Sequence, residues 1–406
     1  MKQQKLQISY LLLAALLGTS CSNENDPITP IDKTDAIELG ITAGVSLTKS
    51  AINGGDANQN GTGNDVMQSV AVYATGTDGS YGTSSSNNYA IYKQTTGTWA
   101  NNDASHKIYL TSDIADIYAY HPAYTPTNAG VMQSTGTALE INSASIGSGF
   151  SNATINISVY PGEGSKDANN TIPTNIDNAD QTYSGSWQTN DNAGKIASAP
   201  GEVDYMWADR TTAANLKASN GKGDADATDE KVDLNMKHAM AMVSFRIYND
   251  GTYALPGKLT QITLRNASEN VLTKGTSPTM KIGDGTIVLN ATSDVTYTRF
   301  IGDGLNLVKV NTTANVTTNE QAKNASKKFS ILVMPETTAS NKQTVKVVFK
   351  IDNVDYDVTL PDASTTWKQG ENYLYTVKLS GKELSITSVK VAKWNEKKID
   401  GDLNVN

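Results

Sequence analysis

The stretch "TVKVVFKIDNVDYDVTL", Thr344 to Leu360, sets the fold class. Val345, Val347, Phe349 and Ile351 recur with a period of two, which places them on one side of an extended chain. Asp352 and Asn353 interrupt the run, and Val354, Tyr356, Val358 and Leu360 then alternate again. Two alternating runs joined by two residues that tolerate positive φ predict an antiparallel hairpin.

The same period appears on both sides of this hairpin. Tyr373, Tyr375, Val377 and Leu379 alternate, and so do apolar residues in "LSITSVKVAKW". Upstream, Val232, Leu234, Met236, His238, Met240 and Met242 share one parity. Shorter alternating runs lie in "SVAVYATG", "NYAIYK" and "KIYLTSDIADIYAYHPAY", and weaker ones in "TALEINSA" and "ATINISVYP". Clusters of Gly, Asn, Asp and Ser separate them, and no stretch holds a helical period over three turns. The expected class is all-β, with two sandwich domains in tandem as the economical arrangement. "NGKGDADATDE", Asn220 to Glu230, is a plausible linker. The expected domains are therefore residues 35–225 and 226–406.

The chain has 406 residues, enough to bury a sizeable core. Net charge is -8 and charged residues make up 18%, so there is no basic stripe to bind nucleic acid. The N-terminus reads as an export signal. Lys2 and Lys5 precede an apolar run from about Ile8 to Leu17, and small residues then lead to Cys21, the single cysteine. A cysteine there suits lipoprotein processing, in which the thiol carries the lipid. Leu17 lies four residues before Cys21, one more than the usual lipobox spacing. An ordinary signal peptide is the alternative. Residues 1–20 are the expected signal and 21–34 a tether, with Pro27 and Pro30.

Directly behind the tether stands "DAIELGITAGVSLTKSAINGG", Asp35 to Gly55. Ile37, Leu39, Ile41, Ala43, Val45 and Leu47 alternate with polar residues or glycine, and then Lys49 opens a Gly- and Asn-rich loop. A regular strand ending on an accessible basic residue is unusual so close to an anchor.

No catalytic constellation stands out. His106, His121 and His238 are isolated, and His238 falls on the buried parity of a strand. No HExxH, Cys/His spacing, GxSxG elbow or Walker loop occurs. Asp224 and Asp226 sit in a hydrophilic loop. "DANQNG", Asp56 to Gly61, matches half of a calcium loop, but its twelfth position is Met67 rather than glutamate. Tyr118, Tyr120 and Tyr124 could form a sugar platform, although alternating tyrosines more often pack within strands. The sequence therefore calls for no enzyme, cofactor or metal.

The ordered set of signal, early strand with a basic end, "IYAYHPAY", "DYMWAD", "LNMKHAMAMVSFRI", "ILVMP" and "WKQGENYLYTVKL" resembles the fimbrillin family. These are the type V pilins and Mfa-like lipoproteins of Bacteroides-type bacteria. The resemblance implies two transthyretin-like β-sandwiches and export to the outer-membrane surface as a lipoprotein anchored through Cys21. It also implies a first strand that an extracellular trypsin-like protease removes. The emptied groove is then filled by a strand of another pilin subunit, a form of β-strand addition. Mapped here, the plug residues are Ile37, Leu39, Ile41, Val45 and Leu47, with cleavage at Lys49, where the family usually has arginine. The candidate donor segment runs from Leu384 to Asn406, with Leu384, Ile386, Val389, Val391, Leu403 and Val405 as its apolar residues. The implied function is a polymerising subunit of a cell-surface fimbria that supports adhesion to a host or bacterial ligand. The alternatives are a non-polymerising lipid-anchored adhesin or tip or anchor pilin of the same fold, and a surface glycan-binding protein or enzyme.

Overall fold

The computed structural model describes residues 37–45, 67, 69–76, 81, 88–95, 98–103, 105–126, 135–143, 145, 149–158, 196–197, 203–210, 216–221, 230–267, 272–311, 315–335, 345–360 and 367–393. It is a nearly all-β protein whose sheets form sandwich-like layers, as the two-residue period requires. Cys21, Leu47, Lys49, Leu403 and Val405, together with the half-motif Asp56–Gly61 and the pair Asp224 and Asp226, lie outside the described residues.

The opening hairpin forms as read. Strands Val345–Ile351 and Val354–Thr359 pair antiparallel, with Ile351 opposite Val354. Asp352 and Asn353 take φ of 48° and 66°, the left-handed pair that a tight two-residue turn needs. Asp352 also accepts hydrogen bonds from the Gly257 and Lys258 amides, both at 2.9 Å. The hairpin belongs to a sheet ordered Tyr297–Asn306, Lys258–Asn266, Val345–Ile351, Val354–Thr359. A second sheet runs Glu383–Lys393, Glu371–Ser380, Ala241–Asn249, Lys328–Val333, Ile196–Ala197.

The core between these sheets holds Phe245, Phe349, Tyr375 and Trp367. The Phe245 ring meets Phe349 edge-on at 5.6 Å and stacks on Tyr375 at 5.4 Å. Strand Ala241–Asn249 is buried at every position. Its odd residues fill this core, while its even residues are covered from behind. There the Ser244 hydroxyl donates to Asn372 at 2.8 Å and Arg246 Nε donates to the Thr376 hydroxyl at 2.8 Å. A short helix, Asn319–Ala325, packs on this strand; Thr318 and Gln321 cap it reciprocally.

The largest sheet is built from strands between Gly40 and His238. Its order is Gly40–Val45, Lys231–His238, Met206–Ala208, Ala115–His121, Ser69–Thr75, Tyr89–Thr95, Thr98–Asn101. Strand Lys231–His238, which follows the expected linker, pairs in this sheet, and the chain crosses to the other sheets between His238 and Ala241. The sheet is buried on both faces. One face encloses Val70, Val72, Ile117, Val232 and Leu234, among others. The other face carries Tyr73, Tyr120 and Trp207 against Met242, Met280, Ile282 and Leu332.

Trp207 fixes this contact between layers. Gly285 sits at φ 69°, and a Cβ added there would fall 2.1 Å from the indole. Gln369 Nε2 donates to the Gly285 carbonyl at 3.0 Å. Only glycine combines that φ with that approach. Gly285→Ala is therefore expected to cost about 2–4 kcal/mol, from left-handed strain plus overpacking. Urea denaturation would measure it; a loss under about 0.5 kcal/mol would mean that the indole moves aside freely.

Candidate functional site

The leading segment is short, and it is held from two sides. Ile37–Glu38 pairs antiparallel with Tyr109–Leu110, and the Leu39 amide donates to the Ile108 carbonyl at 2.9 Å. Gly40–Val45 then runs parallel to Lys231–Met236, with Gly40 opposite Lys231 and Val45 opposite Met236. On the far side, the last hairpin of the same sheet reaches back. Tyr92 donates its hydroxyl to the Leu39 carbonyl at 2.6 Å, and Trp99 Nε1 donates to the Ala43 carbonyl at 3.0 Å. The segment thus covers the edge strand Lys231–His238 and is held at its other side by side-chain donors from the opposite end of the same sheet. Pairing with Lys231–Met236 satisfies backbone groups that a free sheet edge otherwise leaves unpaired.

The side chains follow the alternation. Leu39 is 2% exposed and Ile41 is 4% exposed, inside the cluster that also holds Tyr92, Ile108, Leu110, Val232 and Leu234. Ala43 is partly buried at its rim. Ile37 is half-buried, and Val45 lies on the strand at its Met236 register position. The polar residues make a latch. Glu38 accepts from Asn101 Nδ2 at 2.9 Å and from Lys107 Nζ at 2.9 Å. Thr42 donates to the Asp233 carboxylate. The carboxylate of Glu38 pushes the Lys107 ammonium above its ordinary pKa.

The expected donor residues lie elsewhere. Leu384, Ile386 and Val389 occupy strand Glu383–Lys393, which is paired antiparallel with Glu371–Ser380 in its own sheet. They pack, partly buried, on the core of that sandwich. Val391 stands opposite Tyr373. Groove and candidate donor are therefore separate elements, and the donor strand is an edge strand with one neighbour.

The quoted motifs converge. His121 of "YAYHPAY", Met206 of "DYMWAD" and His238 of "MKHAM" stand side by side across three neighbouring strands. His238 Nδ1 lies 2.9 Å from the Asp204 carboxylate, and both side chains are fully buried. Burial raises the Asp204 pKa, and the His238 side chain opposes that rise. His121 Nδ1 lies 2.8 Å from the Ser69 carbonyl, and burial lowers its pKa to about 4. Nearby, Lys237 Nζ meets the buried Asp209 at 2.5 Å. His238 is a core histidine, as its parity predicts. Among the described residues no group of three or more His, Cys, Asp or Glu is placed to hold a metal ion. Tyr118, Tyr120 and Tyr124 are 8%, 0% and 7% exposed, so they offer no open platform for a sugar.

The family model described as fimbrillin-like matches residues 147–394, a span that holds "DYMWAD" and "MKHAM". This chain belongs to the fimbrillin-like family. Among solved structures, the fimbrillin-like chain is similar to a putative cell adhesion protein from Bacteroides uniformis. That likeness has 14% identity and a TM-score of 0.47, covering 89% of this chain and 99% of the other. A putative cell adhesion protein from Bacteroides ovatus matches at 11% identity and TM-score 0.49, with 88% and 97% covered. A fimbrial protein from Bacteroides vulgatus matches at 12% identity and TM-score 0.46, with 88% and 99% covered. No curated protein matches the chain.

Two outcomes are expected. Ile41→Ala should destabilise the fold by about 2–4 kcal/mol, because it empties a buried site at the seam; a loss under about 0.5 kcal/mol in urea unfolding would mean the groove is not closed by this strand. The second concerns pH. Above about 6.5, the ordinary histidine pKa, His121 is neutral whether folded or unfolded. Between about 6.5 and about 4 the unfolded chain takes up a proton that the folded chain refuses, so stability falls with pH, by up to about 3 kcal/mol. Asp204, whose pKa is raised, acts in the opposite direction at the acidic end. Urea midpoints at pH 7.5 and 4.5 should therefore differ less in His121→Asn than in the unaltered protein; equal differences would remove His121 as the cause.

Proposed function

We propose that this chain is a structural subunit of a cell-surface pilus and that residues 36–48 are its removable plug. The observation that carries the reading is the leading strand itself. Nine residues, Ile37 to Val45, pair with Tyr109–Leu110 and with the edge strand Lys231–His238, take hydrogen bonds from Tyr92 and Trp99, and bury Leu39 and Ile41 to 2% and 4% exposure. Withdrawing them opens a groove walled by Tyr92, Ile108, Leu110, Val232 and Leu234. Such a groove exposes apolar surface and unpaired main-chain groups, so it binds a replacement strand strongly. Each large apolar residue restored is worth about 1.5–3 kcal/mol.

On this reading Cys21 carries the lipid that holds the subunit at the outer-membrane surface. A trypsin-like protease cuts after Lys49, and a strand from the C-terminal segment of another subunit fills the groove. Plugging the groove until export is complete keeps the subunits from associating early. The change of sheet between His238 and Ala241 supports a two-domain organisation whose crossing lies shortly after residue 225. A second reading, a tip or anchor subunit that keeps its leading strand, is favoured by lysine at the position where the family usually carries arginine.

Limited trypsin treatment of the purified protein tests the first reading. The expected result is a new N-terminus at Ser50 and SDS-resistant ladders. Complete release of residues 36–49 from a product that stays monomeric would sink it. A surface-extracted protein that begins at Cys21 would favour the tip or anchor subunit.

A further inference from the structure

The plug and the strand Glu383–Lys393 share a sequence. Glu38–Leu39–Gly40–Ile41–Thr42 and Glu383–Leu384–Ser385–Ile386–Thr387 agree at four of five positions, and Ala43 and Ser388 that follow are both small. We propose that Glu383–Thr387 is a second version of the plug's recognition sequence and enters the groove of a second copy of this chain in the plug's register. The proposal rests on the strand-exchange reading and assigns the register and the residues that specify it.

The groove positions from Glu38 to Thr42 accept their counterparts. Glu383 takes the place of Glu38, within reach of Lys107 and Asn101, each of which lies 2.9 Å from the Glu38 carboxylate. Leu384 and Ile386 enter the sites of Leu39 and Ile41 without change of side chain. Thr387 replaces Thr42 and keeps the hydrogen bond to Asp233. Over residues 38–45 this register sets Ser385 at Gly40, Ser388 at Ala43, Val389 at Gly44 and Lys390 at Val45, and the two changes at glycine fall where there is room. A Cβ at Gly40 meets nothing nearer than Lys231 Cγ at 3.4 Å, an ordinary contact, so Ser385 fits. A Cβ at Gly44 meets no atom within 4 Å, so Val389 fits there. Neither glycine has a positive φ, so no backbone strain bars a side chain. Tyr92 and Trp99 donate to main-chain carbonyls, which any strand supplies.

The donor is placed to leave its own sheet. Glu383–Lys393 has one strand neighbour, so a single ladder breaks. A turn through Gly381, at φ 55°, and Lys382 joins it to that neighbour. Leu384 and Ile386 are only half-buried where they stand, whereas Leu39 and Ile41 are 2% and 4% exposed in the groove. Leu384 and Ile386 would therefore themselves be more deeply buried in the groove than in their own sheet.

The test uses the full chain with the plug expelled in two ways, by Leu39→Asp with Ile41→Asp and by trypsin release. Fluorescent synthetic peptides covering residues 37–45, 382–391 and 394–406 are titrated against each form and against the unaltered protein. The expected result is binding of 37–45 and 382–391 to both emptied forms, competition between the two, and no binding of 394–406. Ile386→Asp in the 382–391 peptide should weaken binding on the order of a hundredfold. Lys107→Glu in the groove should weaken it about three- to fivefold, and Glu383→Lys in the peptide should restore it. Binding of 37–45 without 382–391 overturns the proposal and leaves strand exchange standing with another donor. Failure of the charge swap to restore binding overturns the register. If 37–45 also fails to bind either emptied form, the strand-exchange reading falls as well.

Discussion

The large sheet of this fimbrillin-like chain depends on Gly40–Val45 and the residues just before it, which cover the edge strand Lys231–His238 and take side-chain hydrogen bonds from the other end of the same sheet. Its ladder to Lys231–Met236 and the hydroxyl and indole donors from Tyr92 and Trp99 lie on the two sides of the gap this segment occupies. The cluster beneath the segment depends on it. Val232, Leu234, Tyr92 and Leu110 all line the space that Leu39 and Ile41 occupy. A strand seated there needs the same spacing of apolar side chains. The polar residues make the fit selective rather than merely greasy, since Glu38 and Thr42 meet Lys107, Asn101 and Asp233 in one register.

The rest of the molecule packs against that gap. Strand Lys231–His238 carries the groove edge, and it continues within three residues into Ala241–Asn249, the strand buried on both faces at the centre of the second layer. The row His121, Met206 and His238, the buried Asp204, and the Trp207–Gly285 contact tie the layers where they meet. On the strand-exchange proposal, a groove that accepts another strand gains from walls that do not relax when the leading strand is withdrawn.

Much of this was legible in the sequence because the period of two is a direct imprint of burial on one side. The hairpin at Asp352–Asn353 and the alternation from Ile37 to Val45 could be read residue by residue. What failed to show has identifiable causes. The parity of Val232 through Met242 suggested one strand, but the chain changes sheet after His238, and Met240 and Met242 enter a different cluster; parity alone cannot reveal a crossing. The described residues of "TALEINSA" form no regular strand; their backbone partners are scattered, with an isolated bridge from Ala138 to Tyr124, the Leu139 amide on Ala123 and the Asn142 amide on Thr154. The helix Asn319–Ala325 is too short to show a period, although Thr318 and Gln321 carry its capping signature. The latch was invisible because Glu38, Asn101, Lys107 and Asp233 are far apart in the chain and ordinary in kind. The meeting of the His- and Trp-bearing motifs had no local signal at all.

The direction of the ladder has a mechanical consequence. Gly40–Val45 and Lys231–Met236 run the same way, so the chain enters the first at one end and leaves the second, toward Ala241, at the other. A pull between the segment before residue 37 and the second layer then acts along both strands in opposite senses. Such a load slides the strands past one another and strains every bond of the ladder together, whereas a hairpin pulled from its open end unzips bond by bond. A strand seated there in this orientation is hard to drag out lengthwise, and comes away most easily when one of its ends is cut free.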